Sequence, residues 1–312
     1  MTTGKARLTF LGTGTSQGVP IIGCKCPVCR SEDIHDKRFR ASAYVEYGGL
    51  RILVDAGPDF RMQMLSHNLC HLDAILITHN HKDHTGGLDD VRSLNYIDRR
   101  ASEIYCEKNV LEDLIREYPY VFRFPKYPGA PEWHIHVIDE RPFVISRDTT
   151  DKELVWVHDV GYHYRLPDGS LIPTARCLDD MIEEACHDST DPACTIIPIR
   201  GLHDKLPVLG FRFGDIAYIT DMSSIPESEF SKLDNLKHLT LNTVGYNKHH
   251  SHFSLEETLA LAGKIGAEHT WLTHLSHSFP AHRQFCLELE RMCRERRMDS
   301  LVQPAFDGLV IE

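Results

Sequence analysis

The sequence predicts an α+β fold in which layered sheets are covered by helices. Its predicted strands fall into two groups along the chain, and each group is followed by segments with helical spacing of apolar residues. The 312 residues, 42% of them hydrophobic, are enough to fill a large core. We therefore expect one domain over residues 1–312, without internal repeats and with an insertion at about 145–194.

The first group of strands is predicted in the N-terminal half. Residues 6–11 alternate in polarity and lead into the glycine-rich GTGTSQG. Two strands joined at Gly48 and Gly49 are predicted in SAYVEYGGLRILVDAG. A buried strand, LDAILIT, ends directly before His79. Helical spacing is found in GGLDDVRSLNYI and KNVLEDLIREY, and strands are predicted at EIYC and HIHVI.

The second group supplies the remaining strands, predicted at LVWV, CTIIPI, LGFRF, DIAYIT, HLTLNTV and HTWLT. Helices are predicted at SLEETLALAGKIG and AHRQFCLELERMCRERR. Ser254 precedes the first of these helices and Glu257 takes its third position, which is the pattern of a capping box.

The insertion at about 145–194 is strongly acidic. It carries eleven acidic side chains against four basic ones, a balance of 4 − 11 = −7. The four basic residues are Arg147, Lys152, Arg165 and Arg176. We expect this segment to be rich in loops, and to be either a lid or partner surface or a solvated elaboration of the fold.

Composition limits the classes of function. A formal charge of −11 disfavours a protein that grips long nucleic acids, although a small anion bound at metal ions is compatible with it. The start of the chain shows no signal-like apolar run, and no stretch is long enough to span a membrane, so we expect a soluble cytoplasmic protein without a membrane partner. A homodimer is among the assemblies that the sequence allows.

Three of the ten cysteines form a cluster in GCKCPVCRS. Cys24, Cys26 and Cys29 lie within residues 23–30, and in a chain without an export signal a metal site fits them better than disulfides. The alternative is a reactive or redox loop. A tetrahedral zinc site needs a fourth ligand, and composition cannot identify it among twenty histidines and seven other cysteines.

The segment LITHNHKDHTGGLDD concentrates ionisable groups at the end of a predicted strand. Four ionisable residues fall within six positions, namely His79, His81, Asp83 and His84. Gly86 and Gly87 follow them. A core histidine would explain one such residue but not four, because burying each without a partner costs free energy. A tight turn lets these side chains converge, and the segment therefore predicts a metal site.

This H-x-H-x-D-H pattern, followed by Gly-Gly, resembles the signature of the metallo-β-lactamase superfamily. The resemblance implies an αββα sandwich, two mixed β-sheets flanked by helices, with metals at loops along one edge. It continues at three further strand ends, where His203, Asp221 and His274 match the remaining ligand motifs. Asp55 and Gly57 in LVDAG match the early Asp-x-Gly turn, which is expected to support the metal loops.

The resemblance implies a binuclear centre with seven ligands in all. One ion would be bound by His79, His81 and His203. The other would be bound by Asp83, His84 and His274, and Asp221 would bridge the two. Two divalent ions can share a hydroxide and clamp the oxygens of an in-line displacement. Asp83 is expected to be catalytic as well as a ligand. Zinc and manganese are the expected ions, although His and Asp also suit iron.

The N-terminal segment LTFLGTGTSQGVPIIGCKCPVCRS is similar over its whole length to the cyclic phosphate phosphodiesterases typified by phosphoribosyl 1,2-cyclic phosphate phosphodiesterase, the PhnP-like branch. In that branch the three cysteines bind a structural zinc with a histidine three residues after the last active-site ligand, here His277. His252 in KHHSH matches a histidine near the leaving group, where an imidazolium could donate a proton. A surface histidine is the alternative for His252.

One further pair of histidines, at HIH, could bind a metal weakly. HIH places His134 and His136 on one face of a predicted strand. With no third ligand nearby in the sequence, we expect ordinary strand residues.

The resemblance implies a metal-dependent phosphodiesterase of the EC 3.1.4 type, acting on a small cyclic phosphate or nucleotide phosphodiester. A hydroxide bridging two ions would attack phosphorus. An RNA-processing endonuclease of the ribonuclease Z type shares the pattern, but the net charge and the acidic insertion argue against it. A thioester or lactone hydrolase remains an alternative, as does a non-enzymatic scaffold that binds a partner or acts in cofactor biosynthesis.

Overall fold

The computed structural model describes residues 5–145, 153–158, 160–175, 177–187 and 194–312. Over these residues the chain forms two large β-sheets and one small one. In spatial order, the first sheet consists of β11 (Ile182–Glu184), β6 (Trp133–Val137), β5 (Ser102–Cys106), β4 (Ala74–Leu76), β3 (Leu50–Val54), β2 (Ser42–Tyr47), β1 (Arg7–Gly12) and β18 (Val310–Ile311).

The second sheet contains most of the C-terminal strands. In spatial order, it consists of β17 (Leu301–Pro304), β16 (His269–Thr273), β15 (His238–Asn242), β14 (Ile216–Tyr218), β13 (Leu206–Phe213), β12 (Thr195–His203) and β7 (Phe143–Val144). The small sheet consists of β10 (Leu171–Pro173), β9 (Gly161–Arg165) and β8 (Glu153–Val157).

The helices lie outside the two large sheets. The α-helices of the described residues are α1 (Phe60–Ser66), α2 (Lys82–Thr85), α3 (Arg92–Asp98), α4 (Lys108–Glu117), α5 (Pro119–Phe122), α6 (Leu255–Ile265) and α7 (His282–Arg296). Short 3-10 helices cover Ile34–Asp36, Leu88–Val91, Leu178–Met181 and Glu227–Leu233. The segment predicted as one helix over GGLDDVRSLNYI is thus a 3-10 turn that leads into α3.

Apolar side chains divide the molecule into layers. Phe10 of β1 and Phe211 of β13 belong to one buried core between the two large sheets. A second core joins the other face of the first sheet to α1, α3 and α4, and a third joins the second sheet to α6 and α7. Each sheet therefore buries both faces, and the arrangement confirms the predicted αββα sandwich.

Helix α6 begins with the capping box expected from the sequence. The Ser254 side chain accepts from the Glu257 backbone N–H, and a Glu257 carboxylate oxygen accepts from the Ser254 N–H at 2.9 Å. Gly266 ends the helix in the left-handed conformation, at φ 71°. The start and end of this helix are thereby determined by local sequence.

The insertion is more regular than the expected loops. Strands β8, β9 and β10 pair in antiparallel fashion, and β11 joins the first sheet in parallel with β6. Trp156 of β8 packs edge-on against Tyr162 of β9, with ring centroids 5.2 Å apart. Of the four basic residues predicted there, Arg147, Lys152 and Arg176 lie outside the described residues. No helix of the described ranges is long and apolar enough to cross a membrane.

Parallel strands bring four motif residues to one edge of the sandwich. Strand β3 is parallel to β4, and β14, β15 and β16 are mutually parallel. Asp55, His79, Asp221 and His274 follow the carboxyl ends of these strands. Asp55, Asp221 and His274 adopt positive φ angles of 64°, 58° and 57°. Such a conformation is uncommon for residues other than glycine, and here it turns the side chains toward the site.

Candidate functional site

The predicted histidines converge at this edge. The ring centroids of His79 and His81 are 4.6 Å apart, those of His81 and His203 are 4.9 Å apart, and those of His79 and His84 are 4.2 Å apart. His203 ends β12 in the second sheet, whereas the other three follow β4 in the first. The site therefore spans both sheets.

Asp221 lies between the two groups of ligands. Its Oδ1 atom is 2.9 Å from Nε2 of His274, and its Oδ2 atom is 3.3 Å from Nε2 of His84. Asp83 approaches the same His84 nitrogen at 3.3 Å. The ligand atoms of these four residues all lie within 4.8 Å of one another. The structure thus brings the predicted bridging carboxylate next to the histidines that it would share metals with.

Asp55 supports this cluster from behind. Its carboxylate is fully buried and accepts from the Thr78 N–H and the Thr78 hydroxyl, both at 2.9 Å, and from Nδ1 of His84 at 2.6 Å. The Thr78 hydroxyl in turn lies 2.9 Å from Nδ1 of His79. Both rings are thereby held with Nε2 toward the site, which is the usual role of a carboxylate behind metal-binding histidines.

The backbone of the loop that carries Asp83 and His84 packs closely against the segment that follows Asp55. A Cβ atom on Gly57 would lie 1.9 Å from the carbonyl oxygen of Asp83, and one on Gly87 would lie 2.1 Å from that of Gly57. Glycine is therefore required at positions 57 and 87 for the loop to take this shape.

His203 is held by a separate contact, because its Nδ1 donates to the Ser251 carbonyl at 2.7 Å.

Several ring nitrogens at the site fit metal ligation. Nε2 of His79 and Nδ1 of His274 are buried and have no hydrogen-bond partner in the part of the chain that the structure describes, and Nε2 of His84 and Nε2 of His274 are buried against carboxylates without a well-aligned hydrogen bond. Unpaired buried nitrogens of this kind are costly unless another group satisfies them. Imidazole and carboxylate donors at strand ends are the donor set that zinc, manganese or iron accepts. The residues present therefore fit a pair of divalent cations.

Burial and neighbouring charges shift the pKa values of the groups at the site in different directions. Burial opposes a charged His84, yet Asp221, Asp55 and Asp83 raise its pKa well above 6.5. Burial also opposes the charged form of Asp221, but His274 and His84 hold its pKa well below 3.8. The pKa of His79 is lowered well below 6.5 by its burial. Three carboxylates therefore place negative charge around His84, where a bound cation could take the place of the proton.

His252 completes the rim of the cluster. Its ring lies 4.5 Å from that of His203 and 4.6 Å from that of His274, and its Nδ1 is 3.9 Å from Asp221. Burial lowers its pKa to about 3. Burial therefore favours the neutral imidazole at His252, and its role as a proton donor stays a prediction.

The cysteine cluster converges on the histidine expected for it. The sulfurs of Cys24, Cys26 and Cys29 lie 3.2, 3.6 and 3.5 Å from Nδ1 of His277. Tetrahedral zinc with ordinary Zn–S and Zn–N bonds separates such ligand atoms by about 3.6 Å. The Cys29 backbone N–H points at the Cys26 sulfur at 3.4 Å and lowers the pKa of that thiol to about 6. The four residues fit a structural zinc.

A short loop joins this cluster to the edge of the sandwich that carries His274. The Leu275 N–H donates to the Thr13 carbonyl at 2.8 Å, and the Thr15 N–H donates to the Leu275 carbonyl at 3.3 Å. The loop therefore lies between His274 at one end and His277 at the other. An ion at the cysteines would hold His274 in position.

Sequence reasoning missed several contributors. Thr78 and the Ser251 carbonyl orient two of the histidines, and backbone or hydroxyl partners of this kind have no motif of their own. The expectation that His134 and His136 lack a third ligand is wrong, because Glu103 on the neighbouring strand lies within ligand distance of both. Glu103 was missed because it lies far from His134 and His136 along the chain.

The chain is similar to known proteins over most of its length. The sequence-family model described as the beta-lactamase superfamily domain matches residues 50–156 and 171–275 of this chain. A solved structure described as a new diphosphatase from the PhnP family is 30% identical, and the alignment covers 99% of this chain and 98% of that one with a TM-score of 0.72. Human tRNase Z, short form, superposes with a TM-score of 0.58 over 98% of both chains, but at 17% identity this shows the fold alone.

A curated relative is larger than this chain. The octanoyltransferase of Porphyromonas gingivalis (strain ATCC BAA-308 / W83) is 36% identical over 281 residues, which are 89% of this chain and 47% of that protein. The chain therefore spans about half the length of that relative.

Proposed function

Because the chain belongs to the metallo-β-lactamase superfamily, in its PhnP-like branch, we propose that it is a metal-dependent hydrolase of small phosphodiesters. Cyclic phosphates and nucleotide diesters are the first substrates to test. The observation that carries the proposal is the convergence of the seven implied ligands with His252 beside them. Residues from both sheets form this cluster, and buried ring nitrogens face its centre.

Seven residues would hold the two cations: His79, His81, Asp83, His84, His203, Asp221 and His274. When bound, divalent ions at such a site lower the pKa of a shared water and polarise phosphoryl oxygens. The protein's own contribution is to fix the donors in advance. Asp55, Thr78 and the Ser251 carbonyl set the tautomers of three of the rings, so little reorganisation accompanies the reaction.

Asp83 is the carboxylate best placed to handle a proton from the attacking water. Its side chain is 13% exposed, whereas that of Asp221 is 2% exposed and lies between His84 and His274. His84 and His274 lower the pKa of Asp83 against its burial, so that it is ionised at neutral pH. We assign Asp83 to orienting the water and accepting its proton, and Asp221 would be the ligand shared by the two cations.

His252 lies beside His203, His274 and Asp221, and we assign it to the leaving oxygen. As a neutral imidazole it donates one N–H and accepts at its other nitrogen. An anionic phosphodiester beside the ring would favour the protonated form, because an opposite charge nearby raises the pKa of an imidazole. In the proposed mechanism His252 therefore donates to the leaving oxygen after substrate has bound.

An acyl thioester substrate is the second candidate, and one observation favours it. The relative in Porphyromonas gingivalis is named for transfer of an octanoyl group, although this chain covers only about half of it. An RNA substrate is disfavoured, since the net charge of −11 provides no surplus of cations to contact a long phosphate backbone.

The test is a substrate panel with protein reloaded with Zn²⁺ or Mn²⁺. It includes bis(p-nitrophenyl) phosphate, cyclic nucleotides, a ribosyl 1,2-cyclic phosphate, nucleotide diphosphate esters, octanoyl thioesters and a lactone. We expect phosphodiesters to be hydrolysed fastest, and Asp221→Asn to abolish the activity. The matched control is Asp98→Asn, since Asp98 also pairs with a histidine, His71, but lies outside the cluster. Faster hydrolysis of the thioester than of every phosphodiester would overturn the proposal.

A further inference from the structure

We propose a further divalent metal site, formed by Glu103 of β5 with His134 and His136 of β6. In the parallel register Glu103 lies opposite His134, and alternation along β6 puts both histidines on the same face as Glu103. One carboxylate oxygen, Oε2, lies 3.0 Å from Nδ1 of His134 and 2.6 Å from Nε2 of His136. The three ligand atoms thus lie within 4.8 Å of one another.

The donor set determines which ions suit the site. Two imidazoles and one carboxylate are the protein ligands of many zinc sites that keep one coordination position open. They also suit Cu²⁺ and Ni²⁺, whereas Mg²⁺ and Ca²⁺ prefer oxygen ligands alone. Zn²⁺ is therefore the ion that we assign to Glu103, His134 and His136.

A second carboxylate orients the two rings from behind. Glu183 of β11 lies 2.9 Å from Nδ1 of His136 and 3.6 Å from Nε2 of His134, the nitrogens that do not face Glu103. The Tyr105 ring also stacks on His136, at a centroid distance of 4.2 Å and an interplanar angle of 7°. A carboxylate on the far nitrogen of a ligand histidine is the arrangement found around established metal sites.

The cluster is accessible, and it lies apart from the catalytic edge. The His136 side chain is 7% exposed and that of His134 is 32% exposed, so an ion can enter without unfolding. A cavity of about 190 Å³ is lined by Glu103, His134 and Tyr164 of β9. Its position leaves room for water or another small ligand at an open coordination position.

The site would connect the insertion to the sandwich. Glu183 belongs to β11, which follows the small sheet of the insertion and pairs with β6. An ion on β5 and β6, with Glu183 behind it, would hold this last strand of the insertion against the first sheet. Zinc binding should therefore stabilise the insertion rather than supply the proposed hydrolase with its catalytic ions.

The test is the zinc content of the full-length protein, equilibrated at defined free Zn²⁺ and measured by elemental analysis. Wild type is expected to bind one Zn²⁺ per chain more than His134→Asn. The control is His71→Asn, which removes a histidine paired with a single carboxylate, that of Asp98, and should bind as wild type does. This count does not depend on activity, so its outcome is independent of the proposed function.

A second variant guards against misfolding of the first. Glu183→Gln keeps all three ligands and is expected to weaken zinc binding at this site by roughly 10- to 100-fold, as loss of an orienting carboxylate does elsewhere. Equal zinc content of His134→Asn and wild type, with unchanged affinity in Glu183→Gln, would show a hydrogen-bonded network without a metal and would overturn the proposal.

Discussion

Asp55→Asn tests whether the carboxylate behind the cluster prepares the catalytic ligands. The wild-type carboxylate accepts three hydrogen bonds, two from Thr78 and one from Nδ1 of His84, and it is fully buried. Asparagine has nearly the same shape, but one of its two terminal groups is an NH₂ donor. If its oxygen keeps the Thr78 N–H, the donor faces His84.

The expected loss of metal affinity follows from the change of tautomer that the substitution would impose on His84. Facing a donor, Nδ1 of His84 has to become an acceptor, and the proton moves to Nε2, the nitrogen 3.3 Å from Asp83 and Asp221. A protonated Nε2 cannot bind a metal. Loss of a hydrogen bond to a charged group costs about 1.5–3 kcal/mol. This range agrees with the roughly 10- to 100-fold loss of metal affinity seen when such orienting groups are replaced.

The assay is a titration of metal-stripped protein with Zn²⁺ or Mn²⁺ against a competing chelator. Affinity for the catalytic ions should fall by that factor, and activity should be recovered at high metal concentration. Asp73→Asn is the control, because Asp73 also lies beside β4 but pairs with Arg51 and Arg100 away from the site. Metal affinity of Asp55→Asn within twofold of wild type would refute the reasoning.

Three further predictions concern the two predicted metal sites. Cys26→Ser should lower the metal content by one ion per chain and reduce thermal stability, whereas the exposed Cys70→Ser should change neither; an unchanged metal count in Cys26→Ser would remove the cysteine site. Gly57→Ala should deplete the catalytic ions, because its Cβ would meet the Asp83 carbonyl at 1.9 Å, and full occupancy on elemental analysis would show that the loop can shift. His252→Ala should reduce kcat by roughly 100- to 10,000-fold with the metal content intact. A parallel loss of metal would make His252 a ligand instead of a donor.

The sequence predicted those parts of the fold that depend on local patterns. The capping box of α6 requires only Ser254 and Glu257, three residues apart, and it forms as expected. Strand β16 alternates between half-buried and buried residues over most of its length, and its limits agree with the prediction. Elements such as β11 and β10 were missed, because Ile182–Glu184 has two acidic residues and Leu171–Pro173 ends in proline. Only pairing with a neighbouring strand makes them strands.

The same limit explains what was missed at the candidate sites. His79, His81, Asp83 and His84 lie within six positions of the sequence, so their spacing alone indicated a metal site. Glu103 comes close to His134 and His136 only through the register of β5 and β6, which the amino-acid pattern does not reveal. Helix α1, Phe60–Ser66, was also missed, since seven residues are too few to show helical periodicity clearly.

The most direct test of the proposed function is the rate of cyclic phosphate hydrolysis as metal is returned to stripped protein. Metal content and initial rate are measured on the same samples of wild type and of Asp221→Asn. The rate should rise as the catalytic pair fills, and it should stay at background in Asp221→Asn. Absence of phosphodiester hydrolysis in fully loaded wild type, with either Zn²⁺ or Mn²⁺, would contradict the proposed function.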